Sequence, residues 1–258
     1  MVLLINGIRS VVFNCLFFTW TASVILCSPF LAMASSSVPI CKSLRLWSHV
    51  SMFLSRWVMG ITTEIRGLEN IPKDSPAIVV AKHQSNFDAV LAWQLRDRLT
   101  AFAKKELFRV PLLGVIFNKI GVIRVDRGSG KSFDEMQFVA NYLRETNNLI
   151  VIFPEATRVP PGVRKKLKSG AYHLYKGYDI PVYTIATNTG QFWRKGFWHS
   201  AGKVVYEIGA PLPQGLEKKD FMAIMHERVA LRSDELMREQ GMDLPPYEEQ
   251  PVYIKKRK

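Results

Sequence analysis

The stretch "KHQSNFDAVL", beginning at residue 82, sets one histidine, His83, five residues ahead of one carboxylate, Asp88. A carboxylate that receives an imidazole N–H fixes the tautomer and stabilises the imidazolium. The free ring nitrogen can then take a proton from an alcohol as it attacks an acyl carbonyl. Five residues of α-helix turn through about 500°, which would leave the two side chains about 140° apart. They can meet only if His83 lies in a loop leaving a strand and Asp88 lies in the first turn of the following helix. Ser85 suits the N-cap of that helix, and "SNFD" has the S-x-x-D form of a capping box, which puts Asp88 at N3. The same pattern also fits a helix start with no chemistry in it, and this stretch alone leaves both readings open. The chain after residue 41 has no cysteine and no Gly-x-Ser-x-Gly elbow. If His83 is a base, the simplest nucleophile is therefore a hydroxyl of the substrate.

A second stretch, "FPEATR", follows the apolar run "LIVI" and presents Glu155 and Arg158 at the end of a strand. Arg158 could grip a phosphate through two parallel N–H groups, and Glu155 could hold a hydroxyl or orient a loop. An i, i+3 surface ion pair between them fits equally well. In the third stretch, "IGVIRVDR", period-2 alternation puts Arg124 and Arg127 on opposite faces, and Arg127, at the strand's end, is the better phosphate ligand.

These stretches need a scaffold that brings strand ends together. Apolar, β-branched runs predict strands at 62–67, 77–82, 99–104, 120–125, 149–153, 181–186 and 203–209. Helices are expected near 86–97, 131–146, 166–177 and 217–240. The alternation predicts an α/β domain over 61–240, with a mostly parallel or mixed central sheet flanked by helices, and a ligand site beyond the carboxyl ends of the strands. The tail at 241–258, "PPYEEQPVYIKKRK" at its end, reads as a loosely attached surface strand with a basic terminus.

Composition narrows the class. The 258 residues carry 35 Lys+Arg against 22 Asp+Glu, a formal net charge of +13, which favours an anionic partner. Residues 101–176 alone hold 14 Lys/Arg and 6 Asp/Glu, as suits a phosphate-bearing substrate. No RNP block or zinc finger is present, so nucleic acid is not the expected partner. The 5 histidines are scattered, without H-E-x-x-H, and the 3 cysteines all fall within the first 41 residues. Neither a metal centre nor a disulfide framework is expected.

Residues 11–33, "VVFNCLFFTWTASVILCSPFLAM", contain no charge and are long enough as a helix to cross a hydrocarbon core of roughly 30 Å. Arg9 and "AMA" at 32–34 also fit a signal peptide, although the apolar run is long for one. Beyond it Leu46, Val50, Phe53 and Trp57 fall on one helical face, beside a stripe of Arg45, His49, Met52 and Arg56. Residues 1–60 hold 4 Lys/Arg and no acid. They predict a membrane-associated helical pair, turning at "SSSVP" (35–39), that inserts into or lies on anionic lipid, although the second helix would also fit packing on the catalytic domain with a solvated back.

Taken in order, "HQSNFD", "KKELFRVPLLG" with "GVIRVDR", "FPEATR" and "IPVYTIA" resemble the four blocks of the glycerolipid acyltransferases. The similarity is greatest to bacterial-type 1-acyl-sn-glycerol-3-phosphate acyltransferases and covers roughly residues 60–215. The resemblance implies that His83 is a general base oriented by Asp88. It implies an acceptor site of Gly121, Arg127, Glu155, Thr157 and Arg158, with Lys105 of the second block, and a link between Pro181 and the acyl donor. The implied reaction moves an acyl group from acyl-CoA or acyl-carrier protein to the sn-2 hydroxyl of lysophosphatidic acid, without cofactor or metal. The implied setting is the cytoplasmic membrane, with the catalytic domain on the cytoplasmic side. Two positions depart from the family: Ala156 replaces the usual glycine of FPEGTR, which predicts a loop that avoids positive φ, and Arg124 replaces an apolar or aromatic residue. Another lysophospholipid or a lyso-aminolipid therefore stays open as acceptor, as do an esterase and a non-catalytic lipid-binding protein. Lys82, where the family often has asparagine, has no role on sequence grounds.

Overall fold

The computed structural model describes residues 2–125 and 132–254. At its centre is β2 (Ala77–Ala81), five residues buried on both sides, as an apolar run in a sheet covered on both faces must be. Ala77, Val79 and Ala81 enter one core while Ile78 and Val80 enter the other. Around it lie β1 (Ile61–Arg66), β3 (Leu99–Lys104), β4 (Ile123–Val125), β5 (Leu149–Ile152), β6 (Val182–Thr187) and β7 (Gly202–Ile208). Among the described residues these seven form one sheet in the order β1-β7-β6-β2-β5-β3-β4. From β6 to β4 every neighbouring pair is parallel, whereas β7 runs antiparallel to β6 and parallel to β1. The sheet is mixed, with five contiguous parallel strands whose carboxyl ends share one edge.

All seven expected strands are present, but the 120–125 segment is shortened. It comes after a helix the sequence pattern does not reveal, because a short apolar run such as "LLGVIFNKI" does not distinguish helix from strand. In chain order the helices are α1 (Val2–Ala32), α2 (Val38–Leu54), α3 (Phe87–Leu95), α4 (Leu113–Lys119), α5 (Ser132–Thr146), α6 (Gly170–Tyr178), α7 (Thr189–Phe192), α8 (Lys218–Met225) and α9 (Arg232–Glu239). Helix α4 and the short α7 are the unforeseen ones. Residues of α1 to α4 pack on one sheet face, and those of α5, α6 and α8 on the other.

The expected N-terminal pair forms, turning at residues 33–37, and it buries small polar residues beside Phe13, Phe17 and Ile40 while turning several large apolar side chains outward. Towards the protein α2, with the π-helical turn Ser55–Met59 that continues it, turns the small residues Ser48, Ser51 and Ser55, all buried, and Ser48 Oγ donates to the Val90 carbonyl at 2.6 Å. Outward it presents Leu46, Phe53 and Trp57, the last two 60% and 68% exposed. Helix α1 likewise buries Ser10 and Asn14 and exposes Leu4, Ile8, Phe18, Leu26 and Phe30. It is the one helix among the described residues long and apolar enough to cross a membrane.

Two polar groups clamp α1 to the 197–199 loop. The His199 N–H donates to Ser10 Oγ at 3.0 Å, and Asn14 Nδ2 donates to the Phe197 carbonyl at 2.7 Å. Burial lowers His199 from the ordinary 6.5 to about 4, so folding favours the neutral ring. The resulting stabilisation is complete above about pH 6.5, falls as the unfolded chain takes up a proton, and is gone below about pH 4. It amounts to about 3 kcal/mol. Thermal melts between pH 7 and pH 4.5 should show the wild type losing stability over this window, with His199→Asn flatter; parallel curves would contradict the assignment.

The C-terminal segment is not loose. The Arg164 N–H donates to the Pro251 carbonyl at 3.1 Å and the Tyr253 N–H to the Arg164 carbonyl at 2.9 Å, a parallel bridge. Gln250 is buried and donates to the Asp234 carboxylate. Residues 255–258 lie outside the described part.

Candidate active site

The ladder of β2 ends where the Lys82 N–H donates to the Ile185 carbonyl at 3.0 Å. The chain then turns out of the sheet with His83. Its N–H donates to Glu155 Oε2 at 3.0 Å, and its carbonyl accepts the Val159 N–H at 2.8 Å. The 155–159 loop leaving β5 therefore holds the backbone of His83 from both sides. The imidazole stacks on Phe153, with ring centroids 4.0 Å apart and planes at 20°.

His83 and Asp88 meet, with Nδ1 2.8 Å from Asp88 Oδ2. The same oxygen accepts the N–H groups of Gln84 at 2.7 Å and Ser85 at 2.9 Å, and Oδ1 accepts the Thr189 hydroxyl. Asp88 is fully buried, whereas the His83 side chain keeps 20% of its surface exposed. A carboxylate offered four donors stays a fixed acceptor. With Nδ1–H directed at it, His83 Nε2 carries the lone pair. The cap differs by one residue from the sequence expectation: Asn86 is the N-cap of α3, and the Ser85 hydroxyl accepts the Phe87 N–H at 2.8 Å. The return bond from the Ser85 N–H to Asp88 completes half of a capping box.

Glu155 and Arg158 do not pair with each other. Glu155 is 0% exposed and its Oε1 lies 2.6 Å from Lys82 Nζ, itself 3% exposed. Burial alone would push the Lys82 ammonium down, but the adjacent Glu155 carboxylate more than offsets this and holds it above the ordinary lysine value. Both Glu155 oxygens are thus engaged inside the protein, and Lys82 acquires a partner that no local spacing indicated. The Arg158 guanidinium, half-buried, reaches the Asn86 side chain at the start of α3, which brings it beside the His83 loop. Thr157, also half-buried, precedes Arg158 in the same loop.

The loop does not avoid positive φ: Ala156 adopts φ 54°, a left-handed conformation that costs an alanine roughly 1–2 kcal/mol. The Ala156 N–H closes the turn on the Phe153 carbonyl at 2.9 Å, and the Lys168 N–H holds it from outside through the Pro154 carbonyl at 2.9 Å. Gly121 also has positive φ, 67°, and a Cβ there would stand 1.8 Å from the Tyr142 hydroxyl oxygen. Glycine is required at that turn by close packing. Lys105 begins the exposed turn after β3, on the same edge of the sheet. Arg127 lies outside the described residues. Arg124 is occupied away from the site, with its guanidinium 4.4 Å over the Phe108 ring and Nη2 donating to Asn118 at 3.1 Å.

Pro181 lies at the end of its strand remote from His83. It precedes β6 and its carbonyl accepts the Ile78 N–H at 2.9 Å, so about 20 Å of strand separates it from the carboxyl edge. The block contributes instead through the turn into α7, just beyond β6: Thr189 contacts Asp88, and the Gly190 N–H donates to Gln84 Oε1 at 3.0 Å. Thr189 and Gln84 had no signal in the sequence.

An imidazole with one nitrogen held and the other accessible, at the carboxyl edge of parallel strands, is the equipment of an enzyme that takes a proton from a hydroxyl. Residues 62–188 match the family model described as Acyltransferase. The chain is 29% identical over 241 residues to the 1-acyl-sn-glycerol-3-phosphate acyltransferase of Pseudomonas aeruginosa, covering 91% of this chain and 92% of that one. It is 30% identical over 206 residues to the human 1-acyl-sn-glycerol-3-phosphate acyltransferase alpha, covering 78% and 71%. Its fold matches the crystal structure of the 1-acyl-sn-glycerophosphate (LPA) acyltransferase PlsC from Thermotoga maritima, with a TM-score of 0.74 at 20% identity over 90% of this chain and 98% of that one. The chain belongs to the acyltransferase family.

Proposed function

We propose that this acyltransferase moves a fatty acyl group from a thioester donor, acyl-CoA or acyl-carrier protein, to the sn-2 hydroxyl of 1-acyl-sn-glycerol-3-phosphate, giving phosphatidic acid. The observation that carries the reading is the His83–Asp88 pair, 2.8 Å apart with no protein nucleophile required, in a chain similar to the bacterial and human 1-acyl-sn-glycerol-3-phosphate acyltransferases. The acceptor hydroxyl gives its proton to His83 Nε2 as its oxygen bonds to the thioester carbonyl carbon. Asp88 stabilises the imidazolium. Collapse of the tetrahedral intermediate breaks the C–S bond, and the proton passes from the imidazolium to the departing sulfur.

Arg158, beside the His83 loop, suits the glycerol phosphate, with Lys105 and Thr157 as further contacts on that edge, and the resemblance adds Arg127 to them. Gly121 serves through its turn, and Glu155 holds the loop rather than the substrate. The outward apolar faces of α1 and α2 suit lipid. On this reading 1–60 lies in the membrane and 61–240 over it on the cytoplasmic side, with the described part of the 241–258 tail, 241–254, docked on the far layer. The acceptor, itself an amphiphile, would then enter laterally from the bilayer.

The test uses the full chain with phospholipid vesicles. It should float with them in about 1 M salt, where charge attraction is screened, and should convert labelled acyl donor to phosphatidic acid only when lysophosphatidic acid is added. Release of free fatty acid irrespective of acceptor, or transfer to other lysolipids alone, would refute the assignment.

A further inference from the structure

On the α6/α8 layer, away from the His83–Asp88 pair, lies a cavity of about 1080 Å³ that the acyl-transfer mechanism does not use. Arg164, Lys166, Lys168 and Lys218 line it, and among the described residues no carboxylate does. Lys166, Lys168 and Lys218 form no ion pair among the described residues. Arg164 Nε is buried there without a hydrogen-bond partner among them, a donor that a buried site ordinarily satisfies. The N-terminal residues of two helices, Gly170 of α6 and Lys218 of α8, also border the space, adding two positive dipole ends. Part of the lining is flat and apolar: Tyr247 meets the His226 ring edge-on at 4.8 Å, next to Met222 and Leu167.

We propose that this cavity binds the phosphorylated nucleotide end of a coenzyme A donor. Like charges gathered around a concavity repel one another and need an anion of comparable charge, while the volume far exceeds that of one phosphate and suits a drug-sized ligand. An aromatic and thioether wall suits a purine ring. The cavity is on the sheet face opposite α1 and α2, so a water-soluble nucleotide would reach it from the aqueous side while the lysolipid enters from the bilayer. It is also joined to the reacting centre: the Lys168 N–H is bonded to the Pro154 carbonyl, next to the Phe153 ring that stacks on His83. The inference rests on the thioester-donor reading and selects the nucleotide thioester within it.

The experiment measures binding and kinetics separately, with the full chain in vesicles. Equilibrium dialysis with 3′,5′-ADP, which has no acyl group, should show saturable binding that survives in His83→Ala and is lost in Lys166→Glu/Lys218→Glu. With palmitoyl-CoA the same double variant should raise KM about tenfold or more, the loss expected when charge-assisted phosphate contacts go. The KM for the palmitoyl thioester of N-acetylcysteamine, which lacks the nucleotide, should move far less. No binding of 3′,5′-ADP to the wild type at millimolar concentration, or equal binding to the variant, would overturn the proposal. So would a variant that loses only its attachment to anionic vesicles, because the groove would then be a lipid-headgroup site. Binding of 3′,5′-ADP by a wild type that transfers no acyl group would leave this site standing and remove the acyltransferase reading of the reacting centre.

Discussion

His83→Ala is expected to reduce kcat/KM for acyl transfer by about 10²–10⁴-fold, the usual contribution of a positioned general base, with the melting temperature nearly unchanged. The stability expectation comes from how His83 is held. Its main contacts to the loop are through the backbone N–H and carbonyl, which alanine retains, and the ring is partly exposed. Added imidazole should restore part of the rate, because the vacated space beside Phe153 faces solvent. Asp88→Asn should lose comparable activity but also stability, because Asp88 accepts from two backbone N–H groups and the Thr189 hydroxyl besides the ring. Asparagine has one acceptor oxygen and an NH₂ that cannot receive the imidazole N–H. Full activity in His83→Ala, measured as labelled phosphatidic acid, would end the general-base reading.

Lys82→Met is expected to destabilise the fold by about 3–5 kcal/mol, because it strands the Glu155 carboxylate in the interior. For a chain of this size that lowers the melting temperature on the order of 10 °C. Restoring neutrality in Lys82→Met/Glu155→Gln should recover most of the loss, since replacing both members of a buried pair removes the uncompensated charge. Activity should respond in its own order. The Glu155 carboxylate is what holds the His83 N–H at 3.0 Å, and a glutamine can still accept that bond, so the double variant should regain kcat as well as stability. A melting temperature that fell additively in the double variant would show that the two residues are not coupled.

The sequence carried the strands and the His83–Asp88 geometry because those depend on neighbours within a few residues. The unbroken apolar run "AIVVA" marks a doubly buried strand, and the five-residue step from His83 to Asp88 is closed by one loop and one helical turn. What it did not carry depends on partners far along the chain. The third member of the Asp88 cluster, Thr189, lies 101 residues downstream, and the Lys82–Glu155 pair spans 73. Glu155 and Arg158 could pass for a local ion pair because spacing was the only information available; the fold gives each a separate partner. The left-handed Ala156 shows the same limit from the opposite side. A local preference of roughly 1–2 kcal/mol is overruled by the turn's own bond to Phe153 together with the bond from Lys168 further along the chain.

The clamp on α1 also sets an order of events during synthesis. Its Ser10 and Asn14 bind residues 189 and 183 positions further on. At about 5–20 residues per second, α1 leaves the ribosome roughly ten to forty seconds before its partner loop exists. For that interval Ser10 and Asn14 have no partner in that loop, and Phe13 and Phe17, buried in the folded chain, lack Trp193 to cover them. The first element made is therefore among the last to dock, and a lipid surface that receives its apolar side in the meantime acts as a holding place for the nascent chain.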